Sequence, residues 1–166
     1  MKALALTVLR PLVPMALLCA GLAQAGTVQV DFDHPERYAD AGTAREAERV
    51  RQVIDQHLQA LGQTKLPAGQ TLKVTITDID LAGEVHRWMG PLHDVRIMGR
   101  GVDWPVIELQ YALRDGERIL AQGSERVADM AYLMRSTALR VNERLPYEQR
   151  MLSAWFDRRF GTAPAH

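Results

Sequence analysis

Between Thr71 and Gly83 the chain reads TLKVTITDIDLAG, and the alternation in this stretch limits the fold more than any other feature. Leu72, Val74 and Ile76 fall on one side of an extended backbone, and Lys73, Thr75 and Thr77 fall on the other. That is the pattern of a strand with one buried and one wet face, so the chain must supply an apolar layer for a single side of a sheet. Continued at the same parity, the pattern would set Asp78 among apolar residues and turn Ile79 and Leu81 outward. The strand is therefore expected either to bulge near Asp78 or to end there.

The rest of the chain offers partners for that strand. TVQVDF, Thr27 to Phe32, alternates through Val28, Val30 and Phe32 and reads as a half-buried strand, broken afterwards by Pro35 and Gly42. Thr43 and Glu46 have capping-box spacing. Behind them Ala47, Val50, Val53, Ile54, Leu58 and Leu61 recur at helical intervals, and Gly62 is expected to end the helix. After the LPAG turn and the strand above, Glu84 to Asp94 reads as a loop by composition, and DVRIMG alternates weakly. Ile107, Leu109, Tyr111 and Leu113 share one face of a further strand, and RDGE turns the chain back. A three-residue loop over Arg114 to Gly116, with Gly116 left-handed, would pair Tyr111 with Ile119 and Leu109 with Ala121 and keep one face apolar. Met130, Leu133 and Met134 mark a short helical or irregular piece.

Leu145-Pro146 opens a second helix, in which Tyr147, Met151, Leu152, Trp155, Phe156 and Phe160 form one wide apolar stripe. A lone helix could not leave that stripe in water. The expectation is an α+β fold in the order β-α-β-β-β-β-α: an antiparallel sheet of about four to five strands with both amphipathic helices packed on one face.

The first 25 residues read differently. Lys2 and Arg10 give a positive start, Leu12 to Leu22 an apolar core, and Ala23-Gln24-Ala25 a small-x-small ending, which is the pattern of a Sec signal peptide cleaved between Ala25 and Gly26. Cys19 follows Leu18, where a lipoprotein signal wants a small residue, so lipidation is not expected. Residues 26–166 would then form a single domain without cysteine, ending in a frayed tail over 161–166, and the expected address is the periplasm. No later window is apolar for long enough to span a membrane. Removing the signal leaves 18 basic against 20 acidic residues, a formal charge of −2, which advertises no nucleic-acid partner.

VQVDF with HPERYADAG, LPAGQTLKVTITDIDLAG, the DWP of Asp103 to Pro105, ADMAYL and LPYEQRMLSAWFDRRF together resemble the small secreted bacterial proteins grouped as the domain of unknown function 3016. The motifs fall in the same order over nearly the whole mature chain. The resemblance implies no activity and assigns no catalytic residue.

The candidate sites must therefore come from the residues. Asp78 and Asp80 could divide acid and base roles or hold a hard cation, with Arg96 and Asp103 completing a hydrolase-like or metal-dependent centre. The plainer reading is that they are the polar end of a strand, with Asp78 paired to Arg96 or Arg100. His86 and His93 flank RWMGPL, where a loop could bring two imidazoles to a metal, although their spacing matches no zinc pattern. Trp88 sits among polar neighbours, either tucked over the sheet or exposed to a partner. Asp129 and Tyr132 follow the last strand, as a turn cap with its neighbour or as a ligand contact. There is no GxSxG and no Gly-rich phosphate loop. The expected function is a small non-enzymatic binding or envelope-accessory module, without a cofactor, that meets a periplasmic protein or small ligand. The alternative is an enzyme working through Asp78 and Asp80.

Overall fold

The Glu46 carboxylate accepts the Thr43 N–H at 3.0 Å in a capping box that starts α1 (Ala44–Lys65). In the computed structural model, which describes residues 25–87, 94–99, 103–134 and 144–161, this helix follows β1 (Thr27–Phe32) and a short 3-10 turn over Pro35–Arg37. Five more strands come next: β2 (Gln70–Asp80), β3 (Glu84–Arg87), β4 (Asp94–Ile97), β5 (Val106–Asp115) and β6 (Arg118–Ala128). The last element is α2 (Pro146–Phe160). The α+β architecture is as expected, with one strand more in the order.

The main sheet has four strands in the order β1-β2-β5-β6, and β3 and β4 form a separate hairpin. The sheet is mixed, which corrects the expectation of an antiparallel one. β1 runs parallel to β2, from Thr27 opposite Thr71 to Phe32 opposite Ile76. The reason is α1: at 22 residues it spans about 33 Å and carries the chain back to the end where β1 began. The additional strand is β3, in a stretch whose composition reads as a loop. It pairs Glu84 with Ile97 and His86 with Val95, and such backbone pairing needs no apolar alternation.

β2 bulges, as its sequence allows. The register moves between Ile76 opposite Leu109 and Asp78 opposite Glu108, leaving Thr77 as the extra residue. Ile79 is thereby fully buried and Leu81 nearly so. The β5–β6 register departs from the expected one. Tyr111 lies opposite Gly123 and Leu113 opposite Ala121, a two-residue turn spans Gly116 and Glu117, and Leu120 is an extra residue in β6. Gly116 does take a left-handed φ of 57°, at the first position of a tight hairpin turn. The bulge turns Ile119 to the open face, 45% exposed, so keeping that end of the hairpin apolar on one side was not a constraint.

Both helices cover one face of the sheet. Ile54 and Leu58 of α1, Leu72, Val74 and Ile76 of β2, Ile107 and Leu109 of β5, and Leu152, Trp155 and Phe156 of α2 form one contiguous core. Tyr111 meets the rings of Trp155 and Phe160 edge-on, with centroids 5.9 and 5.5 Å apart. Burial would leave the Trp155 indole N–H unpaired. It donates to Glu125 Oε2 at 3.2 Å, while Arg159 Nε holds the other carboxylate oxygen at 2.6 Å. The helices are tied to each other by a Lys65–Asp157 ion pair and by His57 Nε2 at 2.9 Å from Ser153 Oγ.

Gly62 does not end α1, which continues to Lys65. It lies where the helix crosses β1, and a Cβ there would sit 2.3 Å from Val28 Cγ2. Helix propensity alone would favour Gly62→Ala by about 1 kcal/mol. Overpacking a core contact costs about 1–3 kcal/mol, so the substitution should instead lower stability in urea titration, and a raised midpoint would contradict this account of Gly62.

Candidate functional site

Past its bulge, β2 delivers the chain to Leu81-Ala82-Gly83, a buried crossing point for four separate segments. The stretch before α1 runs alongside: Asp40 N donates to Ile79 O at 2.9 Å, and Leu81 N donates to Asp40 O at 3.1 Å. Gly83, at φ 80°, lets β4 pass closely, since a Cβ there would meet Ile97 O at 2.6 Å. Gly83 N donates to Asp103 O at 2.8 Å. α2 closes the point through Glu148, whose Oε1 accepts the Ala82 N–H at 2.9 Å.

Arg96 of β4 is the cation of this crossing. Its Nη1 donates to Gly83 O at 2.7 Å and lies 2.9 Å from Asp40 Oδ2, and its Nη2 reaches Asp40 Oδ1 at 3.1 Å. A two-oxygen, two-nitrogen pairing of this kind fixes orientation as well as charge. Asp40 Oδ1 also accepts the Gly42 N–H at 2.8 Å, which holds the entry to α1. Glu148 is only 2% exposed, and burial raises its carboxyl above the ordinary range against the pull of the Ala82 N–H and of Arg96. Asp80 is raised too, first by burial and then by the neighbouring charges of Asp40 and Asp78.

Beside this cluster a cleft of about 310 Å³ opens between the first turns of α1, the end of β2 and the start of α2. That volume is at the lower end of the range for small-molecule sites, about 300–1,000 Å³. Val50, Val53, Leu81 and Leu145 make its apolar lining. Arg49, Arg96 and Arg144 stand around it against one lining carboxylate, Glu46, and the Glu46 Oε2 is already engaged by Thr43 N and Oγ1 at 3.0 and 3.1 Å. Leu145 reaches the cleft from a left-handed backbone, φ 55° and ψ 48°, immediately before Pro146. An L-residue pays about 1–2 kcal/mol for that conformation, so the surroundings must hold it there.

The residues singled out in the sequence scatter. Asp78 and Asp80 follow the bulge onto the open face of the sheet. Among the described residues Asp78 pairs with no base: its Oδ1 accepts the Ala39 N–H at 2.8 Å. The partner expected for it, Arg96, belongs to Asp40, and Arg100 lies outside the described residues. Asp103 turns elsewhere, its Oδ2 accepting from Gly99 N at 2.6 Å and from the Tyr132 hydroxyl at 2.9 Å. Burial, and then this carboxylate, raise the Tyr132 phenol to about 12. Asp129 Oδ1 accepts the Ala131 N–H at 3.2 Å and its Oδ2 lies 3.6 Å from Arg150, in the turn that leads to Tyr132. His86 is exposed, 3.8 Å from Glu84; Trp88 and His93 lie outside the described residues. Among the described residues no three His, Cys, Asp or Glu side chains gather as metal ligands, and no helix is long and apolar enough to cross a membrane.

The groups that build the cleft and its wall, Asp40, Glu148, Arg49 and Arg144, were not singled out by sequence. One signal existed for Glu148: it stands three, four and seven positions before Met151, Leu152 and Trp155, on the apolar stripe itself.

The chain belongs to the family described as "Protein of unknown function (DUF3016)", which matches residues 26–158. No curated protein and no solved structure matched the chain.

Glu148 makes a pH prediction with a definite sign. A carboxyl raised in the fold contributes stability that is complete below its unfolded value and is lost as pH rises through the folded one. Going from acid to neutral across and above the ordinary glutamate value of 4.5, wild type should therefore lose stability relative to Glu148→Gln, which keeps an acceptor for Ala82 N–H without the charge. Glu148→Ala leaves that N–H unpaired and should cost about 1–3 kcal/mol. Urea titrations of all three proteins at several pH values check this, and parallel pH curves for wild type and Glu148→Gln would refute it.

Proposed function

We propose that this family member is an exported binding module without catalytic activity, and that the cleft between α1, β2 and α2 is where it takes a small ligand. The observation that carries the reading is the pairing of an apolar lining with an arginine rim, in a concavity of small-molecule size. A pocket of that kind orients a guest by a few polar contacts and holds it by burial. The wall beside it is rigid by construction, because Arg96 is fastened to Asp40 and to two backbone carbonyls, of Ala82 and Gly83.

Export is the second part of the reading, and it rests on the n-region, apolar core and Ala23-Gln24-Ala25 ending. The periplasm follows as the address, with Gly26 as the mature first residue. An acid–base or metal-dependent reaction through Asp78 and Asp80 has less support. Asp78 spends an oxygen on the Ala39 backbone, and around Asp80 burial and the carboxylates of Asp40 and Asp78 outweigh Arg96 and Arg126, with no gathered ligand set among the described residues.

Two measurements test the proposal. Dialysis against a pooled extract of small molecules, followed by mass spectrometry of what the protein retains, should recover one compound class on wild type and lose it on Val53→Trp, which fills the cleft. Equal retention by the two proteins would sink the cleft as the binding site. The intact mass of the protein recovered from an expressing bacterium should correspond to a chain beginning at Gly26, in the periplasmic fraction. A full-length chain confined to the cytoplasm would overturn export.

A further inference from the structure

We infer that the ligand is an amphipathic anion: an oxyanion head held between Arg49 and Arg144, carried on a short apolar body that lies against Val50, Val53, Leu81 and Leu145. The inference rests on the cleft being the ligand site, as proposed above, and names the chemistry that site selects.

The three arginines of the cleft are not equivalent. Arg96 is part-buried and spent, since Asp40 and the carbonyls of Ala82 and Gly83 occupy both of its terminal nitrogens. Recruiting it to a ligand would mean breaking the crossing point that holds β2, β4 and the entry to α1 together. Arg49 and Arg144 are exposed, and among the described residues neither makes an ion pair or a side-chain hydrogen bond. They come from different elements, one from the second turn of α1 and one from the residue before Leu145, and they face the same cleft. Each guanidinium presents a donor fork that fits a carboxylate or a phosphate, and neither has to give up a protein partner to do so.

The lining carboxylate does not cancel them. Glu46 Oε2 is turned to the Thr43 N–H and hydroxyl at the start of α1, so that oxygen is occupied by the helix cap, and its single negative charge stands against the two guanidiniums of Arg49 and Arg144. Next to this head site lies apolar surface that a fully hydrated ion would leave unused: Val50 beside Arg49 and Val53 one turn along the helix, Leu81 just past the end of β2 and Leu145 from its strained backbone. A simple anion would satisfy the arginines and waste this lining. A neutral apolar guest would fill the lining and leave the arginines idle. Only a guest with both parts uses the whole cleft, and the volume of about 310 Å³ keeps its apolar part short.

The shared chemistry, an oxyanion on a short alkyl chain, could come from a free fatty acid or from a phosphate ester, and the test separates them. Isothermal titration calorimetry of the full purified protein would use four probes: octanoate, octyl phosphate, inorganic phosphate and 1-octanol. Octanoate or octyl phosphate, or both, should bind at least about tenfold more tightly than octanol and inorganic phosphate, and which of the two is tighter identifies the head group. Added salt should weaken that binding. The double variant Arg49→Ala, Arg144→Ala should lose about tenfold or more for the charged amphiphiles, with an unchanged melting midpoint, since both side chains are at the surface. Octanol binding as tightly as octanoate, untouched by the double variant but abolished by Val53→Trp, would overturn the anionic head while leaving the cleft as the ligand site. Inorganic phosphate binding as tightly as octyl phosphate would overturn the apolar body. Binding of none of the four by wild type would overturn the inference outright, and the extract experiment would then decide the cleft separately.

Discussion

The extra residue at Thr77 governs both faces of the sheet. Successive side chains of a strand alternate, so one inserted residue exchanges the faces of everything that follows it. Before the bulge Leu72, Val74 and Ile76 enter the core; after it Ile79 and Leu81 enter the same core. Without the insertion, Asp78 and Asp80 would be driven toward the helices as unpaired carboxylates, at a cost of several kcal/mol each by any accounting of buried charge. The bulge also aims the strand's exit, so that Ala82 and Gly83 arrive where α2 and β4 can bond to their backbone.

What gathers there is a set of mutually dependent charges. Arg96 is tolerable in a part-buried position because Asp40 and two carbonyls meet its donors. Glu148 is tolerable in a buried one because it accepts the Ala82 N–H and has Arg96 for a neighbour, and its raised carboxyl records that the compensation is incomplete. These contacts fix the first turn of α2, while the aromatic cluster of Trp155, Phe156 and Phe160 with Tyr111 fixes its last turns on β5 and β6. Immediately before the first of those anchors Leu145 is held left-handed at the cleft, a strain that the seating of the helix behind it must sustain. The cleft is thus a by-product of how α2 is seated.

Much of the fold could be read in the chain. The capping box of Thr43 and Glu46, the stripes of both helices and the alternation of β1, β2 and β5 are local patterns, and local patterns survive folding. The direction of β1 was missed because pairing direction is settled by where a connection returns, which no alternation encodes. β3 was missed because a polar hairpin strand leaves no apolar period. Gly62 was misread as a stop because a glycine that ends a helix and one that lets a strand come close look alike in sequence. For the candidate site, Arg96 was singled out, though with the wrong partner. Asp40 and Glu148 were overlooked because each matters through residues 40 or more positions away.

By itself, then, the sequence determined an α+β chain with one apolar face to cover, two helices able to cover it and a strand obliged to break its alternation at Asp78. These follow from side-chain period and composition, which are properties of short stretches. Tertiary structure alone decided that Asp78 and Asp80 face the open side of the sheet, that Arg96 answers to Asp40, and that Arg49 and Arg144 line one cleft with an apolar floor. Each of those depends on the relative placement of elements far apart in the chain, set by packing against a common core and by the need to pair buried charge.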